Sequence, residues 1–294
     1  MERDKPVRFF STFTGVGGFE IAIRNGIPNS ECVGMCEIDP HASNILRYRF
    51  KGVKNYGNIR NVKEKELPDF DILCGGFPCQ SFSIAGKRMG FEDTRGTLFF
   101  ELARIAKSKR PKILFFENVK GILSHQEGRT VTTILQTMDE LGYDAEWQVL
   151  NSKHHGIPQD RNRIIIIGHL RGQPFKRVFP IREETTGTIK MVQKPGEKFE
   201  QTSRVYSKEG IAPTLTKSGS ENIPIGECNR TMTINEAEAL QGFPKDWTKW
   251  GINERGETVK TPLKERFARM GNAVTTNLMT RVAEKIKLAL LLQE

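Results

Sequence analysis

The side chains able to do chemistry in this sequence cluster at the ends of apolar runs. Cys79 stands in Cys74-Gly75-Gly76-Phe77-Pro78-Cys79-Gln80-Ser81-Phe82-Ser83, directly after a strand-like stretch. Pro78 fixes the backbone ahead of the thiol, and the glycines leave space in front of it. A thiol at the carboxyl edge of a strand, in a basic protein, can reach a ligand and hold thiolate character. A second short run ends in Phe115-Phe116-Glu117-Asn118-Val119, which puts Glu117 in the same expected crevice as Cys79. A thiolate beside a partly desolvated carboxyl group suits addition to an electron-poor ring that is protonated as it is attacked. Arg161 and Arg163, in Gln159-Asp160-Arg161-Asn162-Arg163, open another apolar strand, and their planar guanidinium forks can hold a base oxygen or a phosphate. Each residue alone has a plain alternative: a buried small cysteine, a solvated glutamate, a pair of surface charges.

A glycine-rich turn, Phe13-Thr14-Gly15-Val16-Gly17-Gly18-Phe19, lies just past the first strand and opens a helix. Glycines there let the chain turn tightly and approach a ligand, and the helix start offers free N–H groups. Glu37 ends the second strand, where an acid can accept hydrogen bonds from both hydroxyls of a ribose. Turn plus acid fits NAD enzymes, flavoproteins and methyltransferases equally, and also a simple tight turn with a surface glutamate.

Alternating strands and helices must position these groups. Strands are expected at Val7–Phe13, Glu31–Glu37, Asp71–Gly75, Lys112–Glu117, Ala145–Leu150 and Arg163–Gly168. Between them, helices are expected near Phe19–Asn25, Pro40–Phe50, Leu98–Ser108 and Thr130–Leu141. This is the pattern of an α/β fold with a doubly wound, mostly parallel sheet and ligands at the carboxyl ends of its strands. After Gly168 the texture changes. Residues 170–230 are rich in Gly, Pro, Thr, Ser and Lys, with short strand candidates at Arg204–Tyr206 and Thr214–Thr216, which reads as a small irregular β-rich domain. Helical pattern returns at Asn235–Leu240 and in Leu278–Leu292, whose amphipathic face is expected to pack on the core.

The 294 residues fit one large domain, or a larger domain with a smaller satellite, and 27% charged residues mark a globular chain. A formal charge of +10 favours a polyanionic partner, with nucleic acid foremost, although solvated surface lysine explains charge alone as well. Five cysteines, Cys32, Cys36, Cys74, Cys79 and Cys228, form no repeated pairing pattern, which argues against a disulfide framework and a zinc cage. No metal is expected. His154 and His155 are adjacent and point apart, so they read as part of a polar loop. The absence of a signal-like N-terminus or a spanning apolar run leads us to expect a cytoplasmic protein with no membrane association.

Taken together, the motifs resemble those of the bacterial DNA (cytosine-5) methyltransferases of the HhaI type, across nearly the whole chain. The most specific stretch is Gly76–Glu101, GFPCQSFSIAGKRMGFEDTRGTLFFE, joined by FTGVGGFE at 13–20, ENVKG at 117–121, GIPQDRNRIIIIG at 156–168 and MGNAV at 270–274. The resemblance implies a Rossmann-like fold that binds S-adenosyl-L-methionine and transfers its methyl group to carbon 5 of cytosine. It implies that Cys79 adds to carbon 6, that Glu117 acts at ring nitrogen 3, that Arg163 holds the base oxygen and that Arg161 supports the site. For the cofactor it implies Phe13 against adenine, Gly15 and Gly17 along the methionine end, Glu37 on the ribose, and Ile38 and Ile59 flanking adenine. Pro78, Leu98 and Asn272 complete that pocket. Asn58 departs from the acid common in the family, and an amide there can still accept from the adenine amino group.

The resemblance further implies double-stranded DNA as partner, a base flipped out of the helix, and a loop at Ser81–Arg95 that closes over it. Gln80, Ser83, Ala85 and Lys87 in that loop, with Gln201, Arg204 and Thr214 beyond, are the implied DNA contacts. The implied domains are catalytic and cofactor-binding at 1–180, target recognition and hinge at 181–263, and a C-terminal segment at 264–294 that returns to the first. A monomer is expected, in a restriction-modification setting or as an orphan or phage methylase. Any cognate endonuclease would act on the same DNA site without a stable complex. Three rival readings share parts of this pattern: a tRNA cytosine-5 methyltransferase, a catalytically idle DNA-binding regulator on the same fold, and an NAD-binding oxidoreductase resting on the glycine turn alone.

Overall fold

One edge of a six-stranded sheet gathers the strand ends that carry or lead to Phe13, Glu37, Glu117 and Arg163. The structure, a computed structural model, describes residues 5–78, 98–172, 174–183, 191–193, 205–206, 211–216, 224–225 and 230–291. The sheet comprises β1 (Val7–Thr12), β2 (Ser30–Cys36), β3 (Ile72–Gly76), β4 (Ile113–Val119), β5 (Tyr143–Asn151) and β6 (Asn162–Leu170), in the order β2-β1-β3-β4-β6-β5. β1, β2, β3 and β4 pair in parallel, while β6 runs antiparallel to both β4 and β5. The reversal has a functional consequence. It brings the start of β6, with Arg163, to the edge where β3 and β4 end.

The central strands are continuous apolar runs because both faces are covered, as parallel sheets require. Side chains alternate between two layers. Phe9, Ile113, Phe115, Ile165 and Ile167 pack with α1 (Gly18–Gly26) and α7 (Thr276–Leu290). Phe10, Leu114, Phe116, Ile164 and Ile166 pack with α3 (Leu98–Lys109) and α4 (Arg129–Glu140). α2 (Pro40–Arg49) begins at Asp39, whose carboxylate accepts the Ala42 N–H at 2.9 Å, with Pro40 in the first helical position.

The second half holds a four-stranded sheet in the order β10-β9-β8-β7, from β7 (Met191–Gln193), β8 (Val205–Tyr206), β9 (Pro224–Ile225) and β10 (Arg230–Thr231). The expected strand at Thr214–Thr216 is not formed. Instead Ala212 makes an isolated bridge with Gln159, and Ile211–Thr216 docks as an irregular segment on the loop before β6. Downstream lie α5 (Ile234–Leu240), a hairpin of β11 (Trp250–Ile252) and β12 (Thr258–Lys260), and α6 (Leu263–Asn272). The hairpin and α6 are not among the elements expected from sequence. Trp247, Phe243 and Val274 pack back onto α1, α2 and the glycine turn. Among the described residues no helix is long and apolar enough to cross a membrane.

Candidate active site and cofactor cradle

The register of three strands assembles the candidate catalytic edge. Gly76 on β3 pairs with Glu117 on β4, and Glu117 pairs with Ile165 on β6. Arg163, two residues before Ile165, therefore shares the face of Glu117 as its diagonal neighbour. The side chains meet: Arg163 Nε lies 2.7 Å from Glu117 Oε1, with both nearly buried. A charge-assisted bond of this kind fixes the direction of the carboxylate. Gly76 makes the room, because a Cβ there would stand 2.8 Å from Glu117 Oε2. Asn118, next in sequence, turns the other way and donates from Nδ2 to the Phe77 carbonyl oxygen at 2.8 Å. It thereby ties the end of β4 to the backbone two residues before Cys79.

Arg161 is only 2% exposed. It donates from Nη1 to the Leu215 carbonyl at 3.0 Å and from Nη2 to those of Ala273 at 2.8 Å and Gly271 at 3.3 Å. Burial, with the like charge of Arg163 nearby, pushes its pKa down to about 9. It joins the β6 edge, the 211–216 segment and the C-terminal segment, while its Nε has no hydrogen-bond partner among the described residues. Thr214 belongs to the same docking: its hydroxyl donates to the Asp160 carbonyl, while Asp160 N–H reaches Ala212 O and Ala212 N–H reaches Pro158 O.

At the other end of the edge, β1 and β2 build a cradle. The turn after β1 holds Phe13, Gly15 and Gly17 in the left-handed region, with φ of 51°, 59° and 92°. A phenylalanine in that region is strained, and such strain persists where the surroundings impose it. A Cβ on Gly15 would meet nothing within 4 Å, so the space above the turn is open, whereas one on Gly17 would stand 2.4 Å from Phe50. Glu37 reaches across to this turn. Its Oε2 accepts the Gly15 N–H at 2.7 Å and its Oε1 accepts the Asp39 N–H at 2.7 Å. Burial raises its pKa, and those two N–H groups pull the other way. Asn55 holds the Glu37 backbone from both sides, accepting its N–H and donating to its carbonyl, each at 3.0 Å.

Beside this acid, the apolar Ile38 is 71% exposed. Ile59 is buried in the second layer of the core, with Asn58 exposed before it. Asn58 Oδ1 accepts the Arg60 N–H at 3.1 Å and so caps the short turn Ile59–Asn61. Leu98 opens α3, half-buried, while Pro78 and Asn272 are exposed. An acceptor pair for hydroxyls, an exposed apolar residue and an open glycine turn fit an adenosine with a short charged tail.

Cys79, Gln80, Ser83, Ala85, Lys87, Gln201 and Arg204, with the loop Ser81–Arg95, lie outside the described residues. Sequence reasoning missed Asn55, Asn118 and Trp247, which work on the backbone. Trp247 Nε1 donates to the Val16 carbonyl inside the glycine turn at 2.8 Å. Only Asn118 carried a signal, by its place beside Glu117.

Comparison with known proteins adds a family to this geometry. M.NgoBV, a type II methyltransferase of Neisseria gonorrhoeae, is 47% identical over 182 residues, spanning 59% of this chain and 43% of that protein. The matched part is thus less than half of that relative's length. M.HhaI, a type II methyltransferase of Haemophilus parahaemolyticus, is 34% identical over 322 residues, spanning 95% of this chain and 94% of that protein. Among solved structures, the S. pombe Dnmt2 methyltransferase superposes with a TM-score of 0.70 over 98% of this chain and 99% of that one, at 17% identity, which speaks to the fold. The family model for C-5 cytosine-specific DNA methylase matches residues 7–194 and 179–288. This chain belongs to the C-5 cytosine-specific DNA methylase family.

Proposed function

We propose that this protein methylates carbon 5 of cytosine within a short sequence of double-stranded DNA, using S-adenosylmethionine and a covalent bond from Cys79 to the base. The observation that carries the reading is the Glu117–Arg163 pair, set by strand register at the edge where β3 delivers Phe77 and Pro78. When bound, S-adenosylmethionine supplies a methyl group activated by a sulfonium centre. Glu37 and Ile38 would hold its adenosine and the turn at Gly15 and Gly17 its methionine end, with Phe13, Asn58, Ile59, Pro78, Leu98 and Asn272 around it.

The chain's own groups do the rest. Carbon 5 of cytosine is a poor nucleophile, and addition at carbon 6 divides one hard step into easier ones. Cys79 thiolate forms the sulfur–carbon 6 bond while Glu117 supplies a proton or hydrogen bond at nitrogen 3, so the displaced electron pair is not left as a free charge. Arg163 orients Glu117 and holds the base oxygen. Carbon 5, now enamine-like, takes the methyl group. Loss of the carbon 5 proton then expels Cys79 and restores the ring. A base stacked in a duplex cannot meet these groups, so the reading requires it to be flipped out. Gln80, Ser83, Ala85, Lys87, Gln201 and Arg204 would contact the DNA. Thr214 uses its hydroxyl hydrogen within the protein and retains an oxygen for that role.

The test is adduct formation on DNA containing 5-fluorocytosine, where the missing carbon 5 proton traps the enzyme. Wild-type protein with S-adenosylmethionine should form a band that survives denaturation, and C79A should form none. Equal methyl transfer by C79A and wild type would end this reading. Running tRNA in parallel with duplex DNA decides the substrate, since transfer to tRNA alone would move the activity to RNA.

A further inference from the structure

The cofactor cradle is braced by a part of the chain more than two hundred residues away. Arg269, on α6, makes a two-pronged contact with Asp39: Nε to Oδ1 at 2.8 Å and Nη2 to Oδ2 at 2.6 Å. The arginine side chain is 10% exposed and that of Asp39 33%, so the pair is partly shielded from water. Glu265, one turn earlier, holds the same guanidinium at 2.9 Å. Asp39 stands two residues after Glu37 and one after Ile38, and its own N–H is one of the two that fix the Glu37 carboxylate. Arg269 also precedes Asn272 by three residues on one helix, and residues so spaced share a face.

The same distal region grips the cradle elsewhere. Trp247 bonds the Val16 carbonyl, and Val274 fills the space beside Gly18. From α2, Arg49 donates to the Trp247 and Asp246 carbonyls, and Arg47 to the Ile252 carbonyl.

We infer that Arg269 is a positioning residue for the cofactor, holding Asp39 so that the Glu37–Ile38 wall and Asn272 face one another across the site. This rests on the proposed S-adenosylmethionine site. The physical reason is preorganisation. A wall already fixed by a planar fork has less freedom to lose when a ligand binds. Lysine cannot reproduce both contacts. Asparagine at position 39 keeps the helix cap but loses the charge.

The test uses the full chain with S-adenosylmethionine in calorimetric titration, and steady-state methylation of plasmid DNA. R269A and D39N should raise the cofactor Kd and KM by roughly 3- to 30-fold. kcat and the KM for DNA should stay within about twofold of wild type. R269K should fall between, and the double variant should be no worse than the poorer single one. R281A, which breaks the exposed Arg281–Glu284 pair, should match wild type in all of these. If R269A fails to fold by circular dichroism, R269K and D39N decide the matter. Unchanged cofactor Kd in folded R269K and D39N, or loss confined to kcat and melting temperature, overturns the inference. Wild-type protein that binds no S-adenosylmethionine overturns instead the reading beneath it.

Discussion

The two ends of the strand edge hold their acids by opposite means. At the cofactor end, Glu37 is fixed by neutral donors, the N–H groups of Gly15 and Asp39, with Asn55 gripping its backbone. At the catalytic end, Glu117 is fixed by a cation, Arg163. The difference matches the tasks proposed for them. An acid that only accepts hydrogen bonds can be tied to an immobile backbone. An acid that must point at one atom of a base can be aimed by a charge-assisted bond to a planar cation.

Replacing Glu117 tests the division most severely. E117Q removes the exchangeable proton but keeps the size, so kcat on DNA should fall by roughly 10²- to 10⁴-fold, the range of general acid–base contributions. Cofactor Kd should stay within about twofold, because the two ends share no side chain. An equal loss in cofactor binding would show that the ends are not separate. Arg161 sharpens the point from the other side, since it lies at the catalytic end yet bonds carbonyls rather than either acid. R161M should cost about 2–4 kcal/mol in denaturant unfolding, the burden of stranded carbonyls less the relief of an unfavourably buried charge. A variant with unaltered stability and a collapsed kcat would make Arg161 a participant in the chemistry.

A third acid lies behind the cofactor end. Glu20, in the first turn of α1, is fully buried, and among the described residues neither of its carboxyl oxygens has a hydrogen-bond partner. The Ser11 hydroxyl, also 3.2 Å from that of Thr14, lies close enough to pull the Glu20 pKa partly back down, and Arg24, Glu37, Cys32 and Cys74 are ionisable groups around it. Burial raises its pKa from 4.5 to about 7. A raised carboxyl pKa means that the folded state binds more protons, so its contribution to stability is greatest in acid and is lost as pH rises from about 4.5 to 7. The loss is on the order of 3 kcal/mol. E20Q should lack that slope, so the stability difference between wild type and variant should change by that amount across the window. Parallel curves would mean that folding does not raise the Glu20 pKa.

Much of this arrangement is legible in the sequence for a physical reason. Strands buried on both faces read as unbroken apolar runs, and Glu37 and Glu117 stand where two such runs stop. What resists reading is set by groups acting at a distance. α6 hides because Arg266, one of its inward positions, is paired inside the core with Glu238 at 2.9 Å, so charge interrupts the apolar period. The hairpin strands Trp250–Ile252 and Thr258–Lys260 are three residues each, too short to show alternation. Asn55 and Arg269 find partners through folding alone, and no local pattern marks an amide or a fork that will meet a particular backbone or carboxylate.

The smallest effect expected probes the cofactor end itself. In E37Q, one of the two oxygens that accept Gly15 N–H and Asp39 N–H becomes an NH₂ group, so one anchor is lost and a donor faces a donor. The remaining amide oxygen is also a weaker acceptor for a ribose hydroxyl, since bonds to charged groups are worth about 1.5–3 kcal/mol against about 1 for neutral ones. The cofactor Kd should therefore rise about tenfold. At saturating cofactor, kcat should remain within about threefold, because no step of the chemistry passes through Glu37. Titration of both proteins with S-adenosylmethionine, followed by turnover at saturation, separates the outcomes. A fall in kcat with Kd unmoved would place Glu37 in the reaction and erase the contrast between the two ends.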